Sequence, residues 1–150
     1  MDRDELRKWI IEAVDNVLST SFFTIVEPII DGSPQAIEPK SGPIFHAWVE
    51  LTEAENAIKI DLFFTSPFLN KITLDFLGIE EGTKLSNQDL TDMAEEIANM
   101  VAGEMVGKLG EKWLISLPTS KMETETTIAE GEVVICLTDM EGDVFFIALS

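Results

Sequence analysis

Glu96 and Asn99 stand three residues apart in DMAEEIANMVAGEM, residues 92–105. On a helix, side chains at that spacing share a face. A carboxylate there can pair with a cation brought by a partner. A carboxamide carries a donor and an acceptor on a short neutral stem, which suits holding a water molecule in a set orientation. The chemistry open to such a pair is positioning. Asn99 and Gly103 are also poor helix formers. Gly in a helix interior costs about 1 kcal/mol relative to Ala, and its use there permits close approach of another surface.

A helix turns by about 100° per residue. With Glu96 as zero, Asp92 falls at about −40°, Asn99 at about −60° and Gly103 at about −20°. Leu90, Met93, Ala94, Ile97, Met100 and Val101 fall on a different face. The apolar stripe is expected to dock on a sheet, leaving Asp92, Glu96, Asn99 and Gly103 toward solvent. A solvated polar face without a task is the plain alternative.

The helix carrying this arc is predicted over about 87–109. Ser86 can cap it, with Asp89 in a capping-box position, and Gly107 and Gly110 help to end it. An earlier helix, 66–78, has Ser66 as a candidate N-cap, Pro67 at its first position and Gly78 as a stop. Leu6, Trp9, Ile10, Ala13, Val14, Val17 and Leu18 recur at helical spacing over 4–18. Residues 21–30 read as a short strand ending near Pro28, and 31–42 as a loop.

PIFHAWVEL (43–51) and AIKIDLFFT (57–65) alternate as strands, with TEAEN (52–56) as the turn between them. EKWLISLPTS (111–120) reads as a strand ending at Pro118, and 123–132 as polar connection or edge structure. Residues 132–138 and 143–149 form a last hairpin around DMEG. This order defines one α+β (mixed α/β) domain over 1–150, with long helices on a largely antiparallel sheet.

Composition narrows the function. Hydrophobic residues make up 45% of 150, enough for a packed core. With 28 acidic residues against 10 basic ones the net charge is −18, which argues against nucleic acid and anionic membranes as partners. No apolar run is long enough to span a bilayer. Cys136 is the single cysteine, so a disulfide framework is excluded and a cytoplasmic location fits. Its plain reading is a small buried hydrophobe.

On the residues Glu96-Ile97-Ala98-Asn99 the chain resembles the CheC/CheX family of chemotaxis phosphatases, whose motif is Glu-x-x-Asn on an exposed helix. Asp92 fits the acidic position four residues before the Glu, and Gly103 the glycine four residues after the Asn. Pro118 matches a proline that ends the following strand, at a shorter distance. The order of elements over roughly 43–150 matches as well. CheC proteins usually carry the motif twice. Here Glu12 is followed by Asp15 and Asn16, so the spacing fails in the first helix, and the single motif is closer to CheX. Glu104 stands where the family often has Asn.

The resemblance implies a substrate: the aspartyl phosphate of a CheY-type response regulator. It implies Asn99 as the residue that orients the attacking water and Glu96 as the clamp on the regulator's active-site Lys. Asp92 and Gly103 would border the partner. It implies no cofactor of the chain's own, Mg²⁺ being supplied by the receiver domain, and a homodimeric state. Two other readings stay open. One is a non-catalytic CheC-like module that docks on a receiver or flagellar switch. The other is a metal-dependent hydrolase, disfavoured because no His/Asp/Glu cluster has ligand spacing. His46, Trp48 and Phe63 lie on the sheet face opposite the apolar stripes. Either the N-terminal helix covers them or two copies meet there.

Overall fold

The computed structural model describes residues 2–28, 36–37, 43–123, 126–127, 133–139 and 143–150. Helix α1 (Arg3–Ser21) starts at Asp2, whose side chain accepts a hydrogen bond from the Asp4 N–H at 3.1 Å. Its buried residues Ile10, Ala13, Val14, Val17 and Leu18 follow the predicted helical stripe. Strands β1 (Val26–Pro28) and β2 (Ala36–Ile37) come next. The expected strand over 21–30 is thus shorter. The helix runs on through Ser21, Phe22 caps it, and pairing begins only at Val26. Residues 29–30 and most of the expected loop 31–42 lie outside the described residues.

Strands β3 (Ile44–Glu53) and β4 (Asn56–Thr65) pair along their whole length, from Ile44 opposite Thr65 to Glu53 opposite Asn56. The turn therefore tightens to Ala54 and Glu55, with Ala54 at φ 51°. Helix α2 (Ser66–Leu77) follows directly. Thr65 is its N-cap, without a side-chain bond, and Ser66 is already helical. The Ser66 hydroxyl instead donates to the Pro43 carbonyl, tying the start of α2 to the start of β3. Gly78 stops the helix at φ 67°, the left-handed conformation that favours glycine.

Helix α3 (Asn87–Leu109) leads into β5 (Leu114–Ile115) and β6 (Thr119–Glu123). The single strand expected over 111–120 is two, broken around Pro118. Proline has no N–H for the ladder. Ser116 fills the gap: its N–H donates to the Glu50 carbonyl and its hydroxyl accepts from the Glu50 N–H, both at 2.9 Å. Both strands then lie on the outer edge of β3. Strand β7 (Thr126–Thr127) pairs with β2 inside the stretch read as polar connection or edge structure. Strands β8 (Val133–Asp139) and β9 (Val144–Leu149) form the last hairpin, and most of its turn lies outside the described residues.

The main sheet runs β1-β8-β9-β4-β3, then β5 and β6 side by side along β3, and every pairing is antiparallel. The architecture is α+β, as the element order predicts. One face of the sheet meets the helices. Phe45, Ala47, Val49 and Leu51 of β3 and Ile58, Ile60, Leu62 and Phe64 of β4 share one core with the buried stripes of α1, α2 and α3.

Because α1 packs on that face, it does not cover His46, Trp48 and Phe63. On the opposite face His46 and Phe63 are nonetheless buried, and their rings stack with centroids 4.2 Å apart. His46 Nε2 lies 2.6 Å from Asp61 Oδ1, and Lys59 sits 5.4 Å over the Trp48 ring. Of the two readings of this face, cover by the N-terminal helix is the one the fold does not support.

Candidate functional site

Local sequence fixes α3 before any tertiary contact does. The Ser86 hydroxyl accepts from the Asp89 N–H at 3.1 Å, and the Asp89 carboxylate accepts from the Ser86 N–H at 3.4 Å, a complete capping box. One stripe is then drawn into the core: Leu90, Met93, Ala94, Ile97, Ala98, Val101, Ala102 and Met105 are buried. Met100 is half-buried at its border. What remains outside is the predicted arc. Asp92, Glu96, Asn99 and Gly103 are all exposed, and α3 brings all four together on its solvent face. Gly107 joins them, since α3 continues to Leu109 and Gly110 caps it. The sequence reading took Gly107 as a stop signal. Its helical angle would have placed it on the arc.

The members of the arc differ in their freedom. Gln88 Nε2 donates to Asp92 Oδ1 at 2.8 Å, so Asp92 is engaged one turn back along its own helix. Gln88 is a neighbour that the motif did not single out. Glu96 and Asn99 have no side-chain hydrogen bond or ion pair with any described residue. A Cβ added at Gly103 or Gly107 would meet nothing within 4 Å. The surface is thus convex and shallow, with a carboxylate and a carboxamide projecting unpartnered from it.

The flank toward α1 is tied down. Lys108 Nζ donates to Glu12 Oε2 at 2.9 Å, and Asn16 Nδ2 to Glu104 Oε1 at 2.9 Å. The hydrogen bond from Lys108 holds the Glu12 carboxyl below its usual value, with the positive charges of Lys108 and Lys8 acting the same way. Glu104, the departure from the family pattern, thus finds its partner in Asn16 on the neighbouring helix.

Nothing on this face is a nucleophile with a base beside it. Among the described residues, no group of three His, Cys, Asp or Glu side chains could hold a metal ion. A cleft of about 820 Å³ lies between α2, the connection to α3 and the start of α3, and Asn70, Lys71, Lys84 and Leu90 line part of it. Leu90 belongs to the buried stripe, so this cleft opens on the other side of α3 from Glu96. The arc can hold a partner's cation and a water molecule, and it can do so only on something that docks against it.

Fold and motif together define a CheC-like chemotaxis protein. Over its whole length the chain is similar in fold to the chemotaxis protein CheX from Vibrio vulnificus, with a TM-score of 0.73 at 20% identity, 100% of this chain and 99% of that one being covered. It is similar to CheX from Desulfovibrio desulfuricans, with a TM-score of 0.70 at 22% identity over 97% and 98% of the two chains. It is also similar to the CheX–CheY–BeF₃–Mg²⁺ complex from Borrelia burgdorferi, with a TM-score of 0.67 at 14% identity over 96% of each chain. No protein of curated function matches the sequence. The family model for the chemotaxis phosphatase CheX matches residues 47–139, more than half of the chain and including α3. The chain belongs to the CheX family.

Proposed function

We propose that this protein is a single CheX-like domain over residues 1–150 that dephosphorylates the aspartyl phosphate of a CheY-type receiver. The observation that carries this is the pair Glu96 and Asn99, exposed on one face of a rigid helix and without a partner in their own fold. In the reaction, a water oxygen bonds to phosphorus while the bond from phosphorus to the receiver's aspartate oxygen breaks. The aspartate leaves as a carboxylate, and the water's protons pass to the phosphate product and to solvent. Attack is in line with the leaving group. Asn99 enters the receiver's site and accepts a hydrogen bond from the water through its amide oxygen, fixing its direction. Glu96 pairs with the receiver's active-site Lys and sets the register. The chain brings no metal, and the receiver's own Mg²⁺ neutralises charge on the phosphoryl oxygens.

No nucleophile on the arc has a base beside it, and this is consistent with catalysis by position, the role of a water-orienting Gln in GTP hydrolysis. The CheX–CheY complex from Borrelia burgdorferi supports a CheY-type partner. The protein acts as a homodimer in the cytoplasm, a state that its mass in solution tests. Among the described residues, no helix is long and apolar enough to cross a membrane.

The deciding experiment is phosphate release from a phosphorylated receiver. Asn99→Ala should abolish the acceleration and leave binding largely intact. Parent-rate release by that variant would sink the catalytic reading and leave a docking module.

A further inference from the structure

Most acids on the outward side of α3 already have a partner. With Glu96 as zero, Asp89 stands at about +20°, Asp92 at about −40° and Glu104 at about +80°. The Asp89 carboxylate accepts from the Ser86 N–H in the capping box. The Glu104 carboxylate accepts from Asn16 on α1. The Asp92 carboxylate accepts from Gln88 Nε2 at 2.8 Å. Glu96 is left as the one acid on that side without a bond to a described residue. Glu95 has none either, but it stands at about −100° and is half-buried.

The bond from Gln88 matters because α3 carries the same spacing twice. Asp92 and Glu95 repeat, one turn earlier, the three-residue step from Glu96 to Asn99. A receiver displaced by four residues, about 6 Å along the helix, would meet Asp92 where Glu96 belongs and Glu95 where Asn99 belongs. Its Lys would still find a carboxylate. Its aspartyl phosphate would face a second negative charge in place of a neutral carboxamide. Such a complex would form and would not turn over. Asp92 is also a like charge four residues from Glu96, close enough to repel it and to compete for the same cation. Gln88 lies four residues before Asp92 and draws its carboxylate toward the start of the helix, away from Glu96.

We propose that Gln88 is a positioning residue for the reaction. By holding Asp92 back, it leaves Glu96 as the carboxylate open to the receiver's Lys, and so fixes the turn of α3 on which the receiver docks. This rests on the receiver-phosphatase reading above. Gln88 itself touches neither the phosphate nor the water, and it acts through Asp92.

Gln88→Ala removes the bond and Gln88→Glu turns it into a repulsion, and neither disturbs the helix. Ala and Gln are both good helix formers, and Glu suits the first turn. The substrate is a CheY-type receiver phosphorylated by acetyl phosphate, and the binding probe is the same receiver loaded with BeF₃⁻ and Mg²⁺. A second, idle mode of binding lowers kcat and KM together and leaves kcat/KM unchanged. Gln88→Ala should do so by up to about two-fold and Gln88→Glu by about two- to five-fold, the scale of one and of two exposed i,i+4 interactions. Parent kcat and KM in Gln88→Glu would overturn the proposal and leave Gln88 a merely structural role. So would a raised KM at parent kcat, the sign of a direct contact with the receiver. Binding gives a reading free of catalysis. In the parent, Glu96→Gln should weaken binding of the loaded receiver by about two- to five-fold. In the Gln88→Glu background it should cost less than about two-fold, because Asp92 takes over the Lys. An equal cost in both backgrounds would overturn the proposal. If the costs differ while the parent releases no phosphate, the register stands and the catalytic reading falls.

Discussion

Replacing Gly103 by alanine should make the protein more stable and less active. Gly103 sits inside α3, exposed, five residues short of Lys108 in the last turn, and a Cβ built there meets nothing within 4 Å. The new methyl therefore costs no internal clash. It removes the entropic penalty of a mid-helix glycine, a gain of about 0.8–1 kcal/mol. For a chain of this size that corresponds to a Tm rise of about 2–4 °C. The same methyl stands one turn beyond Asn99, on the surface where the proposed function docks a receiver. A close-packed interface answers an extra methylene with about 1–3 kcal/mol of strain, which predicts a fall of roughly ten-fold or more in kcat/KM for phosphate release. Differential scanning calorimetry and a phosphate-release assay on the same preparation measure both halves. A more stable variant with parent kcat/KM would show that glycine gives no clearance to the partner. A lower Tm would contradict the open space over α3 itself.

Glu96→Gln keeps the side chain's shape and removes its charge, so under the proposed pairing with the receiver's Lys the affinity should fall by about two- to five-fold, the scale of one exposed ion pair. The residual affinity should lose part of its salt dependence, measurable by titrating the loaded receiver at low and high ionic strength. The Glu12 carboxyl is held below its ordinary value of 4.5 by the hydrogen bond from Lys108. A group lowered in the folded state stabilises above its unfolded value and loses that contribution as pH falls through the folded one. Stability of the parent should therefore decline on acidification below about pH 4.5 more steeply than that of Glu12→Gln, as thermal melts across that range would show.

The sequence shows the elements of this fold where hydrophobic period and punctuation agree. The capping box at Ser86 and Asp89 and the stripe from Leu90 to Met105 made α3 legible. The alternation of Phe45, Ala47, Val49 and Leu51 against Ile58, Ile60, Leu62 and Phe64 made the central hairpin legible. Elsewhere the outcome depended on contacts between distant segments. The break around Pro118 is set by Ser116, which takes both hydrogen-bonding groups of Glu50 on another strand. The end of α1 looks like strand sequence because Phe22 and Phe23 are strong strand formers. Stacking of Phe22 on Phe76 and the two bonds to the Leu18 carbonyl decide otherwise. At the site, angle alone put Asp92, Glu96, Asn99 and Gly103 on one arc. The i,i+4 spacing of Gln88 and Asp92 could have signalled their hydrogen bond. Nothing local could show that Phe23 would be turned outward, because that depends on how Phe22 packs against Phe76.

Helices α1 and α3 hold the same kinds of polar residue and put them to opposite uses. Glu12 and Asn16 on α1 are one turn apart, as are Glu96 and Asn99 on α3. Glu12 is taken by Lys108 and Asn16 by Glu104, both from the last turns of α3. Had Glu104 been the Asn often found after the glycine, Asn16 would have faced a carboxamide in place of a carboxylate. The bond would then lose its charge assistance. The residue that departs from the family pattern thus supplies one of the two polar ties between α1 and α3, whose buried stripes share one core. Fixing α1 uses up its acid and amide as helix–helix contacts. Glu96 and Asn99 on α3 meanwhile stay exposed. On α1 the acid Glu12 and the amide Asn16 are spent on contacts with α3, while on α3 the acid Glu96 and the amide Asn99 make no such contact with a described residue.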